Sequence, residues 1–152
     1  MFRFTFYVCI RFDAVEDILN PLLARSKEYW GVSRSVTLNL DFFVGENLSF
    51  MVHNLREIET AFVEVEKILQ RKVFPMLDEC NDLPALERLL NNKIIVRPLE
   101  SEANAGVVAA ALCHKNDFTE IVSRHRYAMN GYIEPIRLRF EMVVSHLTKT
   151  FF

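Results

Sequence analysis

The chain begins with MFRFTFYVCIRF, residues 1–12, in which apolar and more polar side chains alternate. In an extended chain, one side carries Phe2, Phe4, Phe6, Val8, Ile10 and Phe12. The other side carries Arg3, Thr5, Tyr7, Cys9 and Arg11. Because successive side chains of a strand point to opposite faces, and these residue types favour strands, the pattern predicts one half-buried β-strand.

A second alternating stretch, residues 36–43, places four apolar side chains on one side: Val36, Leu38, Leu40 and Phe42. Residues 45–47 are Gly-Glu-Asn, which are turn residues, and residues 48–52 have the composition of a returning strand. Two such runs joined by a short turn predict a β-hairpin. The N-terminal part is therefore expected to form an antiparallel sheet of three or four strands.

The hydrophobic period changes from two to about three and a half at Asn54. Asn54 and Glu57 have the spacing of a capping box at a helix start. The residues that follow form an apolar stripe typical of an amphipathic helix: Leu55, Ile58, Phe62, Val65 and Leu69. Pro75 is expected to end or kink this helix, because proline lacks the amide hydrogen that a helix interior needs.

Helical signals dominate the rest of the chain. Asp82 is expected to cap a short helix that runs to Leu90 and stops at Asn91-Asn92, and residues 103–113 read as an alanine-rich helix that allows close packing. Two further helices are predicted after Asp117 and from Pro135. Residues 93–96 are a brief strand or a connector.

Residues 13–30 permit two interpretations. Asp13 and Glu16 have capping-box spacing, but Asn20-Pro21 interrupts the pattern, so the segment is a broken helix or a long loop. Together these elements predict one α+β domain over residues 1–152. In it, the sheet is packed on one face by a C-terminal set of four or five helices.

Composition excludes several classes of function. Lys and Arg number 18 and Asp and Glu number 20, so no excess positive charge favours nucleic acid. Three widely spaced cysteines argue against a disulfide framework. No uncharged stretch approaches the length of a membrane span, and Arg3 and Arg11 interrupt what would be a signal sequence. The expected location is the cytoplasm, with neither a membrane nor a nucleic acid as partner.

Catalytic and cofactor motifs are not found in the sequence. The four histidines, His53, His114, His125 and His146, lack metal-ligand spacing, and the four glycines are too dispersed for a phosphate loop. We therefore expect no metal and no cofactor, and the catalytic residues stay unknown. His125 shares an apolar stripe with Phe118 and Val122, which predicts an imidazole at the core edge with one hydrogen-bond partner.

Four arginines near His125 in sequence allow two interpretations: Arg124, Arg126, Arg137 and Arg139. They form a local anion-binding surface if the last two helices pack antiparallel. The alternative is that they are solvated and paired with the many glutamates, as surface arginines usually are.

The polar face of the predicted sheet is the best candidate for a binding site. It carries Arg3, Tyr7, Arg11, Asn39 and Asp41. Antiparallel sheets often leave one face open, and Tyr and Arg are enriched at interface hot spots. The sequence thus favours a non-catalytic module that binds another protein through its sheet. The alternative is a small enzyme with a cleft between sheet and helices, recognisable by a carboxylate that converges with His125 or His53.

Four segments resemble a family of small uncharacterised bacterial proteins. They are Ser35–Leu40, Val73–Asp78, Asp82–Leu90 and Ala109–Leu112. In their order, the chain is similar to domain-of-unknown-function family 4304 over about residues 35–147. The resemblance implies no catalytic residues, because none is established for that family.

Self-association is expected from both ends of the chain. A first strand that lies at a sheet edge leaves backbone groups open to pairing, and Phe151-Phe152 places two large apolar side chains at the C-terminal end. These features predict a homodimer that uses the edge strand, the terminal aromatic residues or both.

Overall fold

The computed structural model describes residues 2–45, 48–92 and 100–152. The chain forms two compact units. The first unit contains the described residues of 1–9 and 37–81, and the second unit those of 10–36 and 82–152. The class is α+β, as predicted. That residues 1–152 behave as a single domain stays a prediction.

The N-terminal stretch forms two short strands, β1 (Phe2–Phe4) and β2 (Tyr7–Ile10). The alternation holds across the break between them, since Thr5, Tyr7 and Cys9 are exposed and Phe4, Phe6, Val8 and Ile10 are half-buried. It does not hold at Phe2, which was expected on the buried side and is 69% exposed. Two more strands are β3 (Val36–Asn39) and β4 (Phe50–Val52). β2 pairs with β3, and β1 pairs antiparallel with β4, with Arg3 opposite Met51 and Phe4 opposite Phe50.

The predicted hairpin is wrong, because the partner of β4 is β1 and not β3. β3 stops at Asn39 and the chain enters a short helix, α2 (Asp41–Val44), which ends at Gly45 with φ of +78°. The Asp41 carboxylate accepts hydrogen bonds from the Leu48 amide at 2.7 Å and from Asn39 Nδ2 at 3.2 Å. Such local bonds offer the backbone an alternative to a strand ladder.

The predicted sheet of three or four strands is therefore wrong as well. The described residues form two sheets of two strands each, and no single strand covers residues 1–12. Phe42, expected on the buried side of a strand, is 37% exposed. Packing of the C-terminal helices on one face of the sheet stays a prediction.

The core of the first unit is small and rich in aromatic rings. Leu40, Val65 and Val73 are buried together, with half-buried apolar side chains around them. Phe6 packs against this cluster, and its ring centroid lies 5.9 Å from that of Phe50 and 5.6 Å from that of Phe62 in edge-to-face geometry. This geometry suits the quadrupoles of the rings.

One long helical run completes the first unit: α3 (Leu55–Ile68), a π-helical turn (Leu69–Val73) and α4 (Phe74–Glu79). The Asn54 cap is confirmed, because its Oδ1 accepts from the Glu57 amide at 3.0 Å. Pro75 does not end the run, and the π turn lies where proline removes a helical hydrogen bond. The predicted stripe is partly wrong: Leu55 and Phe62 are exposed.

The second unit is helical. Its helices are α1 (Asp13–Leu22), α5 (Leu83–Asn91), α6 (Glu100–Leu112), α7 (Phe118–Ala128) and α8 (Glu134–Phe151). Short 3-10 turns occur at Lys27–Val32 and Met129–Gly131. Helix α6 packs against α1, α5, α7 and α8, and every residue from Glu102 to Ala111 is buried. This confirms the close packing expected from its alanines.

The predicted helix ends of the second unit have different outcomes. The Asp82 cap is confirmed by a 2.7 Å hydrogen bond from the Ala85 amide to its carboxylate. The Asp13 cap is wrong, because Asp13 is the first helical residue and makes no capping bond. Helix α5 ends at Asn91, as predicted. The predicted reason is wrong, because Asn92 has φ of −88° and does not adopt the left-handed conformation. Residues 93–96 lie outside the described residues.

In the part of the chain that the structure describes, no helix has both the length and the apolar character needed to cross a membrane.

A substitution at Phe6 tests which side chains of the N-terminal stretch are buried. Phe6→Ala removes a ring that is half-buried against two others, and we expect a loss of about 2–3 kcal/mol in the free energy of unfolding. Thr5→Ala changes an exposed side chain and is expected to cost less than about 0.5 kcal/mol. Denaturant unfolding measures both. Equal midpoints for the two variants contradict the assignment.

Candidate functional site

Two of the five predicted binding residues, Arg3 and Tyr7, are exposed in the first unit. We define the open sheet face by Arg3 and Met51 of the β1–β4 sheet together with Thr5 and Tyr7, which follow in the chain, and all four residues are exposed. Arg3 and Met51 are opposite each other on β1 and β4, so their side chains leave the sheet on the same side. Tyr7 is 58% and Met51 45% exposed.

The other three predicted residues make hydrogen bonds within the chain. Asn39 and Asp41 are half-buried and hold the turn after β3, as described above. Arg11 belongs to the second unit, where its Nε donates to Asp13 and its Nη1 donates to the Ser33 hydroxyl and the Trp30 carbonyl. The structure therefore assigns these three side chains a role in local structure.

A buried polar network in the second unit was not predicted from the sequence. Asn91 on α5 donates through Nδ2 to the Gly106 carbonyl at 3.0 Å and to Glu87 Oε1 at 3.2 Å. Its Oδ1 lies 2.7 Å from His125 Nε2. Because Oδ1 can only accept, the His125 tautomer that fits carries its hydrogen on Nε2. Three helices, α5, α6 and α7, are joined by this network.

Gly106 lets α6 approach this network. A Cβ at this position would lie 2.7 Å from His125 Nε2 and 2.9 Å from Asn91 Oδ1. Both distances are shorter than real Cβ contacts, so any larger residue forces the imidazole and the amide to move. The sequence did contain one indication of this close approach, a single glycine within an alanine-rich helix.

The electrostatics of the network favour uncharged histidine. Burial, together with the smaller effect of the nearby Arg124 charge, lowers the pKa of His125 to about 4. The ring is therefore neutral near pH 7. The expectation of a core-edge imidazole with a hydrogen-bond partner is confirmed, and that partner is an amide. His53, the other histidine considered for catalysis, is exposed.

The arginines of α7 and α8 are mostly paired, as the second of the two interpretations predicted. Arg126 forms two hydrogen bonds with Glu141 at 2.6 and 2.8 Å, and Arg139 forms two with Glu100 at the same distances. The Glu141 partner raises the pKa of Arg126, and the Arg126 guanidinium lowers the pKa of Glu141. Arg124 donates to the Asn91 carbonyl at 3.0 Å.

The second unit also contains an open pocket of about 530 Å³. Its walls combine charged, hydroxyl and apolar side chains: Arg25, Glu100, Ser101, Tyr132, Ile136 and Arg139, together with Leu23. Within the described part of the chain, no three His, Cys, Asp or Glu side chains come together as a set that could hold a metal ion.

The chain matches no family model, no curated protein and no solved structure.

Gly106→Ala tests the contact between α6 and the buried network. The new methyl group clashes with His125 and Asn91, so we expect a loss of about 1–3 kcal/mol in the free energy of unfolding. Gly131→Ala is the matched control, because a Cβ there meets nothing within 4 Å. Thermal unfolding measures both variants. A Gly106→Ala protein as stable as Gly131→Ala contradicts the described approach.

The His125 environment predicts a dependence of stability on pH. About one pH unit above 6.5, the ordinary pKa of histidine, His125 is neutral in both the folded and the unfolded chain, so it does not reduce the free energy of unfolding. As the pH falls towards 4, the unfolded chain binds a proton that the folded chain does not. With a folded pKa of about 4, the loss reaches about 3 kcal/mol.

Chemical unfolding at pH values from 7.5 to about 4.5 measures this loss in the free energy of unfolding. The range covers most of the interval between the unfolded and the folded pKa of His125, where the loss develops. His125→Gln removes the titrating group, so its stability is expected to fall less over the same range. His146→Gln, at an exposed position, retains the full dependence. If wild type and His125→Gln lose stability in parallel, the buried neutral state of His125 is wrong.

Proposed function

We propose that the chain is a non-catalytic protein-interaction module that binds an extended segment of another protein at the open sheet face. The observation that carries the proposal is the exposure of this face. Arg3, Tyr7 and Met51 are exposed, while Phe4 and Phe6, which alternate with Arg3 and Tyr7 along the chain, are half-buried. Arg and Tyr are frequent hot-spot residues, and Met adapts to irregular surfaces.

The strand edges support an extended partner. Among the described residues, β1 and β4 pair only with each other, so each strand has one edge with no strand beside it. The backbone groups of such an edge can pair with a strand from another chain. Main-chain hydrogen bonds then provide affinity, and side chains of the open sheet face provide specificity.

The chemistry of the face indicates which partner segment fits. Arg3 makes no ion pair within the part of the chain that the structure describes. A carboxylate on the partner would supply its missing counter-charge, and apolar side chains would cover Tyr7 and Met51. The proposed ligand is therefore an extended segment with apolar residues and an acidic residue that reaches Arg3.

The alternative, a small enzyme with a cleft between sheet and helices, receives less support. The structural feature expected of such an enzyme was a pocket in which His125 or His53 converges with a carboxylate. The Nε2 of His125 instead bonds the amide of Asn91, and the ring is buried. His53 is exposed, and only its backbone amide bonds a carboxylate, that of Glu57 at 2.7 Å.

A second copy of the chain is one form that the partner can take. The homodimer proposal now depends mainly on the strand edge, because the terminal aromatic residues have neighbours within the second unit. Phe152 stacks on Phe118 at a ring distance of 4.6 Å, and the Phe151 ring lies 6.3 Å from that of His114. The resemblance to family 4304 and the cytoplasmic location stay predictions. The location is supported by three cysteines that form no disulfide within the described residues.

Affinity purification from the native cell extract tests the proposal. The wild-type protein is compared with the double variant Arg3→Glu/Tyr7→Ser and with Arg71→Glu, an exposed charge reversal elsewhere in the first unit. We expect the double variant to lose at least about 30-fold in recovery of partner, as loss of a hot spot does. Arg71→Glu should retain recovery.

Light scattering separates the two kinds of partner. A dimeric mass that the double variant reduces to a monomeric mass identifies a second copy. A monomeric mass with selective recovery of another protein identifies a heterologous partner. Equal recovery by all three proteins, with no change in mass, contradicts binding at the open sheet face.

A further inference from the structure

We propose that the pocket of the second unit binds a small monoanionic carboxylate with an apolar body. This site is separate from the open sheet face and belongs entirely to the second unit. Its volume of about 530 Å³ lies within the range of pockets that bind small molecules. Three features of the pocket select the ligand: the Arg25 guanidinium, the Glu100 carboxylate that is paired with Arg139, and an apolar wall.

Arg25 is held in place by buried groups. Its Nη1 donates to Glu16 at 2.8 Å and to Asn20 at 3.1 Å, and both of these residues are fully buried. Its carbonyl accepts from Trp30 Nε1 at 2.9 Å. A side chain held this firmly loses little freedom when a ligand binds, and such preorganisation increases affinity.

The same guanidinium still has an unused edge. Both hydrogen bonds of the Arg25 side chain use Nη1. Within the described part of the chain, its Nε and Nη2 therefore remain available to a ligand. Two parallel N–H groups on one edge of a guanidinium match the two oxygens of a carboxylate. The Arg25 side chain is 27% exposed and lines the pocket, so a ligand can reach it.

The other charges of the pocket limit the charge of the ligand. Arg139 binds Glu100 through two hydrogen bonds, and Glu16 offsets the charge of Arg25. The pocket therefore has little net positive charge, and Glu100 repels a second negative charge on a ligand. A monoanion is favoured over inorganic phosphate, which is present partly as a dianion at neutral pH.

The remaining walls select the body of the ligand. Leu23, Ile136 and the ring of Tyr132 form an apolar surface, and Ser101 adds a hydroxyl group. The free edge of Arg25 and the Ser101 hydroxyl suit a carboxylate head, and the apolar wall suits an aromatic or branched body.

Sodium benzoate is the probe, titrated into the full chain labelled with ¹⁵N and followed by NMR. We expect saturable amide shifts that include Ser101, Tyr132 and Ile136, with a dissociation constant in the millimolar range. Benzamide, which has the same ring without the charge, should cause no saturable shift at these residues. Inorganic phosphate should bind more weakly than benzoate.

Three variants separate binding from folding. Arg25→Lys retains a cation for Glu16 but removes the two-donor edge, so benzoate affinity should fall at least about 10-fold. Arg139→Gln leaves Glu100 without its counter-charge and should also weaken binding. Arg126→Gln breaks the equivalent pair with Glu141 outside this pocket and should leave the affinity unchanged.

The outcomes that overturn the proposal are specific. They are no saturable shift with benzoate, an equal response to benzamide, tighter binding of phosphate, or undiminished binding by both Arg25→Lys and Arg139→Gln. If Arg25→Lys fails to fold, Arg139→Gln compared with Arg126→Gln decides alone. None of these results bears on the open sheet face, which has its own test.

Discussion

Helix α6 contacts four other helices of the second unit and has no exposed residue between Glu102 and Ala111. A helix buried on all sides needs small side chains, since each neighbour must approach its backbone. Gly106 is the extreme case, because a single added carbon would collide with both His125 and Asn91. The positions of α5 and α7 therefore depend on the absence of a side chain at one residue.

Buried polar groups fix the orientation of these helices. Glu16 and Glu87 are almost completely buried, and each is paired with a partly exposed cation, Arg25 at 2.8 Å and Lys115 at 3.0 Å. Removing such a carboxylate from water is costly, and one ion pair alone rarely repays that cost. Additional bonds from Ser35 to Glu16 and from Asn91 to Glu87 supply part of the difference. These pairs favour one arrangement of the helices over others that bury the same apolar area.

Several features that depend on a few neighbouring residues were predictable from the sequence, although the Asp13 cap was not formed. The caps at Asn54 and Asp82, and the alternation of residues 3–10, depend on local chemistry and were found as expected. The pairing of β4 was not predictable in this way, because β1 and β3 offer similar strands and only the tertiary fold decides between them. Glu16, Asn91 and Asn104 look like surface residues in sequence, so their burial could not be inferred. For the site, the exposure of Arg3 and Tyr7 followed from the alternation of the N-terminal stretch. The hydrogen bonds of Arg11, Asn39 and Asp41 within the chain cannot be inferred from a hydrophobic period.

The first unit has a different balance of forces. A two-stranded sheet is only marginally stable by itself, and β1 and β4 have three residues each. Their stability must come from side chains, chiefly Phe6 and Phe50, which pack against the core of Leu40, Val65 and Val73. Packing on one face leaves the strand edges and the opposite face unsupported. A partner strand at either edge would add main-chain hydrogen bonds that the short sheet lacks, so binding and the ordering of this sheet would stabilise each other.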